Sequence, residues 1–134
     1  MNTPAPRLHN KVSIITGAAQ GIGLATALKF AHEGAIVIVC DVKQAAVDDA
    51  VKQCQAIGAQ ALGFVVDVTQ REMVDATVKA VLDKFGRIDV LVSAAGTNLP
   101  ERTMAQLTAA SWQMMIDTNL NGAFRMIRAL LPGM

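Results

Sequence analysis

Short apolar runs rich in β-branched residues alternate with helical periods along most of this chain. Apolar runs bounded by glycine or polar residues predict strands, and apolar residues that recur every three or four positions predict amphipathic helices. The sequence predicts strands at 12–16, 36–40, 62–66 and 89–93 and helices at 22–33, 44–57, 70–85 and 108–131. This alternation favours parallel strands joined by crossover helices. We therefore expect an α/β fold in which a doubly wound parallel sheet lies between two layers of helices.

The length and composition fit one unit of this kind. The chain has 134 residues, of which 52% are hydrophobic and 4% aromatic, a balance typical of close-packed helices on a buried sheet. Residues 1–10 are polar and contain two prolines, which predicts a flexible tail. The folded domain is predicted to span residues 11–134.

Glycines and one polar pair mark the predicted helix boundaries. Gly34, Gly58 and Gly86 each follow a helical period, at the position where a left-handed residue commonly ends the last turn. Thr69 and Glu72 have the spacing of a capping box, so the Thr69 hydroxyl is predicted to cap the third helix.

Charge, hydropathy and cysteine content exclude several functions. The formal net charge is +1 and no basic cluster is present, which predicts no nucleic-acid interface. The N-terminal residues lack an apolar signal region, and no apolar run is long enough to span a membrane, so we expect a cytoplasmic chain. Cys40 and Cys54 lack partners at metal-binding spacing, so we interpret both as buried thiols and predict no metal site.

Three glycines follow the first predicted strand in the stretch TGAAQGIG, residues 16–23. Gly17 permits a sharp turn, Gly21 lets the backbone approach a phosphate, and Gly23 lets the following helix pack against the strand. The helix that begins near Ile22 would direct free N–H groups and the positive end of its dipole towards an anion. The pattern predicts a pyrophosphate site, with a glycine-rich turn that binds nothing as the alternative.

Asp41 ends the second predicted strand, where a carboxylate can accept hydrogen bonds from both hydroxyls of an adenosine ribose. Its charge would repel a 2′-phosphate, which predicts NAD rather than NADP as the cofactor. Gln20 supports the same choice because it cannot form an ion pair with a phosphate, whereas Lys43 leaves NADP open. The alternative is that Asp41 only caps the next helix.

The chain resembles the short-chain dehydrogenase/reductase family. TGAAQGIG is similar to the T-G-x-x-x-G-x-G cofactor loop of that family, and Asp41 matches its NAD-selecting acid. Three further segments match in order, namely Asp67-Val68-Thr69, Ser93-Ala94-Ala95-Gly96 in place of N-N-A-G, and Asn119-Leu120-Asn121-Gly122. The resemblance implies a Rossmann-type sheet of about four strands in the order 3-2-1-4.

The resemblance also implies roles for individual residues. The residues that it assigns to NAD binding are Gly17, Gln20, Gly21, Ile22, Gly23, Asp41, Asp67, Val68, Ala94, Ala95 and Gly96. It assigns Asn119 to the catalytic machinery, where the family uses this asparagine to hold a water in a proton relay.

The helical stripe Trp112, Ile116, Ala123, Ile127 and Leu131 passes through Asn119, so we expect this amide to face the interior. The alternative is an interior amide that bonds only to neighbouring backbone.

Two features depart from the family pattern. Ala94 cannot make the hydrogen bond of the asparagine that it replaces, so the support of the fourth strand is expected to be weakened or rerouted. The chain contains no tyrosine, and the family's catalytic serine, tyrosine and lysine follow the asparagine-containing helix, where this sequence ends. We therefore interpret the chain as a truncated cofactor-binding part and expect no turnover from it alone.

The implied activity is hydride transfer between a nicotinamide cofactor and a small carbonyl or alcohol substrate. One alternative is a non-catalytic module that binds NAD or another adenine nucleotide, and another is a remnant that folds poorly because its fourth strand is an unpaired edge. A methyltransferase that uses S-adenosylmethionine is a more distant alternative. Because the 108–131 helix is a common dimer surface in the family, we expect a homo-oligomer.

Overall fold

A computed structural model describes residues 4–134 of the chain. Its sheet contains β1 (Val12–Thr16), β2 (Ile36–Asp41), β3 (Ala61–Val65) and β4 (Val90–Ser93). All neighbouring strands are parallel, and their order is β3-β2-β1-β4. This confirms the predicted doubly wound α/β fold and its strand order.

Helices cover both faces of the sheet. The helices are α1 (Gly21–His32), α2 (Gln44–Ala56), α3 (Arg71–Phe85), α4 (Ala109–Ile116) and α5 (Gly122–Leu130). Buried residues of α1 and α2 form one core with Ile15, Val37 and Val39. Buried residues of α3 and α5 form a second core with Ile14 and Ile38, because alternate strand residues point to opposite faces.

The register of the strands brings their carboxyl ends to one edge of the sheet. Thr16, the last residue of β1, is paired with Cys40 of β2 and with Ser93 of β4. Asp41 is paired with Val65. The loops after all four strands therefore start close together, which is where open α/β sheets bind ligands.

Two kinds of predicted helix boundary have different outcomes. Gly34, Gly58 and Gly86 have φ angles of +81°, +95° and +72°, which confirms that each is left-handed. The predicted capping role of Thr69 is wrong. Its hydroxyl donates to Asp67 Oδ1 at 2.7 Å, and α3 begins after Gln70 without a side-chain cap. The helix begins one residue later than the capping box requires, and the hydroxyl instead forms a charge-assisted hydrogen bond with the preceding carboxylate.

The region predicted as one helix at 108–131 is interrupted. Between α4 and α5 lies a π-helical turn, Asp117–Asn121, and a short 3₁₀ turn, Leu131–Gly133, follows α5. The predicted inward stripe is also wrong, since Trp112, Ile127 and Leu131 are 51%, 49% and 61% exposed. The buried positions of α5 are instead Gly122, Met126 and Leu130. These form a second series at four-residue spacing, and this series packs on the sheet.

The segment predicted as a tail lies partly outside the described residues, at positions 1–3. Within the described part, the Leu8 N–H donates to the Glu33 carbonyl at 2.9 Å and the Asn10 N–H to that of Gly34 at 3.0 Å. Residues 8–10 therefore pack at the end of α1. Both cysteines are buried and unpaired. Among residues 4–134, no helix combines the length and hydropathy needed to cross a bilayer.

Candidate functional site

A cavity of about 600 Å³ opens at the carboxyl edge of the sheet. Its volume is within the range of small-molecule sites. All eleven residues that the sequence assigns to cofactor binding line it, and Asn119 does not. Six further residues line the cavity without having been predicted to bind the cofactor, namely Val42, Val66, Thr69, Thr97, Met114 and Thr118. Four of these six directly follow a strand end or a predicted site residue, so position at the sheet edge was the available signal.

The three glycines of the first loop meet different steric demands. A Cβ on Gly17 would lie 2.8 Å from the Ala94 carbonyl oxygen, and a Cβ on Gly23 would overlap the Gly17 carbonyl. These two positions need glycine for packing within the chain. Gly21 has a φ of +56°, and nothing lies within 4 Å of the position that its Cβ would occupy. Its backbone therefore borders open cavity, as the approach of a ligand requires.

The N-terminus of α1 is open to the same cavity. Gln20 precedes the helix in an extended conformation, no side chain caps the first turn, and that turn contains no acidic residue. The first N–H groups of a helix have no partner within the helix, and the helix dipole is positive at this end. Ile22 is 83% exposed and lines the cavity beside them. The site thus combines anion-attracting N–H groups with an apolar surface.

Asp41 connects the glycine loop to the end of β2. Its Oδ2 accepts from the Ala19 N–H at 3.0 Å, and its Oδ1 accepts from the Val42 N–H at 2.7 Å. The residue that precedes α2 is Lys43, so Asp41 does not cap that helix. Each carboxylate oxygen can accept more than one hydrogen bond, and Asp41 lines the cavity. It can therefore bind a donor there without leaving the glycine loop.

Asp67 presents a second carboxylate after β3. Its Oδ1 accepts from the N–H of Thr69 at 2.9 Å and from the hydroxyl of that residue at 2.7 Å. The other oxygen, Oδ2, has no hydrogen-bond partner among residues 4–134. Val66 and Val68, both nearly buried, flank this carboxylate and also line the cavity. An acceptor between two apolar side chains suits a flat ring with an amino group.

Thr16 connects β1 to the segment that follows β4. The Ala95 N–H donates to the Thr16 Oγ1 at 3.1 Å, and Thr16 is buried in β1. The Ser93 hydroxyl, which stands where the family has asparagine, makes no hydrogen bond within the described part of the chain. Thr16 is the first residue of the TGAAQGIG stretch, but no role was predicted for it from the sequence. This hydroxyl therefore joins the segment after β4 to the neighbouring strand β1.

Asn119 fixes the loop that follows β4. Its Oδ1 accepts from the Thr97 N–H at 2.7 Å, and its Nδ2 donates to the Thr97 carbonyl at 2.9 Å. A Cβ on Gly96 would lie 3.3 Å from the same Oδ1. The prediction that this amide faces the interior is wrong, because Asn119 is exposed in the π turn. The loop backbone satisfies the amide instead.

An ion pair that was not predicted from the sequence connects the π turn to the loop after β3. Arg125 Nη2 lies 2.6 Å from Asp117 Oδ1, and its Nη1 donates to the carbonyls of Asp117 and Val68, each at 3.2 Å. The Arg125 guanidinium and the Asn121 amide hold the pKa of Asp117 below its usual value. The pair is eight residues apart across the π turn, so regular helical spacing gave no signal for it.

Comparison with known proteins identifies the family. A family model described as short chain dehydrogenase matches residues 11–134. The chain belongs to the short-chain dehydrogenase family. The 3-oxoacyl-(acyl-carrier-protein) reductase FabG of Thermotoga maritima is 39% identical over 128 residues, which cover 96% of this chain and 52% of that protein. This short-chain dehydrogenase sequence thus spans about half the length of the curated relative.

Solved structures of the family share the fold. A xylitol dehydrogenase with bound NAD⁺ superposes with a TM-score of 0.91 at 33% identity, over 96% of this chain and 49% of that chain. A metagenomic short-chain oxidoreductase in complex with NADP has a TM-score of 0.89 at 30% identity, over 95% of this chain and 57% of that chain. These structures confirm the Rossmann-like arrangement of the short-chain dehydrogenase fold.

Proposed function

We propose that residues 11–134 form the dinucleotide-binding domain of an oxidoreductase and that the cofactor is NAD(H). The observation that carries the proposal is the meeting of Gly21, the uncapped start of α1 and two carboxylates around one cavity. The helix start would attract an anion, and the carboxylates would accept from neutral donors. A dinucleotide offers both features in one molecule. Structures of family members with NAD⁺ and with NADP support a nicotinamide cofactor.

The proposed placement assigns one part of the cofactor to each group of residues. The pyrophosphate would lie against Gly21 and the first turn of α1, and the ribose hydroxyls would donate to Asp41. Asp67 would accept from the adenine amino group, with Val66 and Val68 against the ring faces. Ala94, Ala95 and Gly96 would border the ribose of the nicotinamide half, since their backbone lies at the far side of the glycine loop.

The preference for NAD over NADP rests on charge. A 2′-phosphate at the Asp41 carboxylate would meet a like charge within a few ångströms, which is unfavourable even near the surface. Gln20 lines the cavity and offers no positive charge. Lys43 is exposed and does not line the cavity, so it would compensate little of this repulsion.

The proposed chemistry is hydride transfer to a carbonyl or from an alcohol. A bound nicotinamide supplies the hydride acceptor or donor. The names of the relatives, a 3-oxoacyl reductase and a xylitol dehydrogenase, support a small carbonyl or alcohol substrate. In this chain Asn119 would hold Thr97 and with it the border of the cavity. We further propose that these 134 residues alone have no turnover, because they contain no tyrosine to act as the acid/base that the family resemblance implies.

Self-association through α4 and α5 is also part of the proposal. Large apolar side chains are exposed at Trp112 of α4, at Phe124 and Ile127 of α5, and at Leu131 of the 3₁₀ turn that follows. An apolar face of this kind is typical of an interface. Sedimentation of the chain at several concentrations should show a dimer, and a monomer at every concentration would contradict the interface.

We place the chain in the cytoplasm, which the two buried, unpaired cysteines support.

Titration calorimetry with NADH and NADPH tests the proposed function. We expect the chain to bind NADH and to bind NADPH at least about tenfold more weakly, as one repelled charge predicts. If neither dinucleotide binds, the proposed site is wrong. If NADPH binds better, the role of Asp41 in cofactor choice is wrong although the site itself stands.

A further inference from the structure

We propose that Arg125 is a positioning residue that holds the two ends of the cavity at a fixed separation. The adenine end is lined by Val66, Asp67 and Val68, and the nicotinamide end by Ala94, Ala95, Gly96 and Thr97. This inference rests on the proposed binding of a dinucleotide. It adds a residue that does not line the cavity and that no sequence motif identified.

The guanidinium of Arg125 contacts one cavity-lining residue and the start of the π turn. It donates to the Val68 carbonyl at 3.2 Å, and Val68 lines the cavity beside Asp67. It also donates to the carbonyl and carboxylate of Asp117, the first residue of the π turn, which does not itself line the cavity. One rigid group thus joins the loop after β3 to the start of the π turn.

The π turn transmits this attachment to the loop after β4. Asn119 lies in the middle of the turn and binds both backbone polar groups of Thr97. Thr97 lines the cavity directly after Gly96. The path from Val68 to Thr97 therefore runs through Arg125, Asp117 and Asn119, with a hydrogen bond or one turn of backbone at each step. π turns inserted in helices are often found at functional sites.

Burial and geometry distinguish this pair from the other ion pairs of the surface. The side chains of Arg125 and Asp117 are 23% and 33% exposed, against 70% and 52% for Arg71 and Asp75. Partial burial reduces screening by water and salt. The planar guanidinium bonds three oxygens at once, which the single ammonium of a lysine cannot do in the same geometry.

The proposal distinguishes ligands by length. A ligand that occupies only the adenine end needs Val66, Asp67 and Val68 in place. Without Arg125 this segment keeps the bonds from the Val66 N–H to the Asp41 carbonyl and from the Gln70 N–H to the Asp67 carbonyl. A ligand that spans the cavity also needs the Thr97 loop at the correct distance. Loss of Arg125 should therefore weaken binding of a whole dinucleotide more than binding of its adenine half, because the loops must be brought into register on binding.

Calorimetric titration of the full 134-residue chain with NADH and with AMP tests this. We expect Arg125→Met to raise the Kd for NADH about tenfold, as loss of bonds to a charged group predicts, and the Kd for AMP less than about twofold. Arg71→Met is the matched control. Arg71 lines the outer groove between α3 and α5 together with Arg125, but its ion pair is with Asp75 alone. Both Kd values should stay within about twofold in this control.

The changes in the Kd values for NADH and AMP decide whether Arg125 is a positioning residue. An equal change for both ligands, or no change for either, would mean that Arg125 has a structural role only and would overturn the inference. Binding of neither ligand by the unaltered chain would overturn the proposed function itself. If circular dichroism shows that Arg125→Met is unfolded, Arg125→Lys keeps the charge and must show the same selective loss of NADH affinity. Equal NADH and AMP responses in that variant would overturn the inference as well.

Discussion

Asn119 binds Thr97 through both atoms of its side-chain amide. The Thr97 N–H donates to Oδ1 and Nδ2 donates to the Thr97 carbonyl, at 2.7 Å and 2.9 Å. The side-chain amide forms the two backbone hydrogen bonds that a neighbouring strand would form in a sheet. It satisfies one backbone donor and one backbone acceptor of an irregular loop. The pair fixes the loop after β4 to the π turn. Asn119 therefore has a structural role at the site, independent of any role in catalysis.

Asn119→Asp should weaken binding of NADH. Aspartate retains the acceptor for the Thr97 N–H but places a carboxylate oxygen against the Thr97 carbonyl, so one bond is lost and a repulsion is gained. One hydrogen bond of about 1 kcal/mol corresponds to roughly a fivefold rise in Kd, measured by calorimetry. Asn98→Asp is the matched control, because Asn98 only accepts from the Leu99 N–H and aspartate can do the same. Equal losses in both variants would contradict the role of the Asn119 amide.

Gly21→Ala should abolish binding while Gly58→Ala should not. Both glycines have positive φ and open space at the Cβ position, so each alanine carries a similar backbone strain of about 1–2 kcal/mol. Only the Cβ at Gly21 would project into the cavity. Thermal unfolding should show comparable losses of stability, and calorimetry should show loss of NADH binding for Gly21→Ala alone. If Gly21→Ala binds NADH normally, the pyrophosphate does not lie against this residue.

The sequence predicted the strands of the sheet well because their signals are local. The β-branched runs and the alternation with helices predict parallel strands joined by crossover helices, whereas the order 3-2-1-4 was implied by the family resemblance. The packing of the helices in residues 108–131 was predicted less accurately. Trp112, Ile127 and Leu131 form one apolar series and Gly122, Met126 and Leu130 form another, and spacing alone does not tell which packs on the sheet. The π turn between them was also not encoded in any periodic pattern.

Asp41→Asn should reduce discrimination between the two dinucleotides. Asparagine keeps one acceptor oxygen, which can serve the Ala19 N–H at the cost of the bond from the Val42 N–H. The glycine loop then stays attached to β2, but the charge that repels a 2′-phosphate is gone. We expect the ratio of the NADPH and NADH Kd values to fall about tenfold. Asp48→Asn removes the same charge from the exposed face of α2 and controls for net charge. A ratio that falls equally in both variants would assign the effect to long-range electrostatics.

Gly122→Ala should destabilise the fold, and Val68→Ala should relieve the damage. A Cβ on Gly122 would lie 2.6 Å from Val68 Cγ2, so the added methyl overpacks the contact between α5 and the loop after β3. Overpacking of this kind costs about 1–3 kcal/mol in the free energy of unfolding. The double variant should lose less free energy of unfolding than the two single variants lose together, as urea unfolding can measure. Additive effects would show that the helix shifts away rather than clashing with Val68.

The residues that line the cavity were mostly predicted from the sequence, but their interactions were predicted only in part. Position near the end of a strand indicated the glycines and Asp41, and the family resemblance indicated Asp67. The hydrogen bond from Ala95 to Thr16 and the ion pair of Asp117 with Arg125 join residues that share no local pattern. Such contacts depend on how the loops pack after the sheet has formed. These contacts are visible only in the three-dimensional structure.

Glu33→Gln should lower stability at neutral pH and have no effect in strong acid. The Lys29 ammonium, with the Arg7 N–H, lowers the pKa of Glu33 from 4.5 to about 2. The folded chain therefore binds this proton more weakly than the unfolded chain, so the contribution is complete above pH 4.5 and is lost as pH falls towards 2. The difference in urea midpoint between the unaltered chain and Glu33→Gln should shrink over that interval. Glu72→Gln, which removes an exposed carboxylate of α3, controls for the change in net charge. A difference that stayed constant from neutral pH into acid would mean that the attachment of the N-terminal segment to α1 does not depend on this charge.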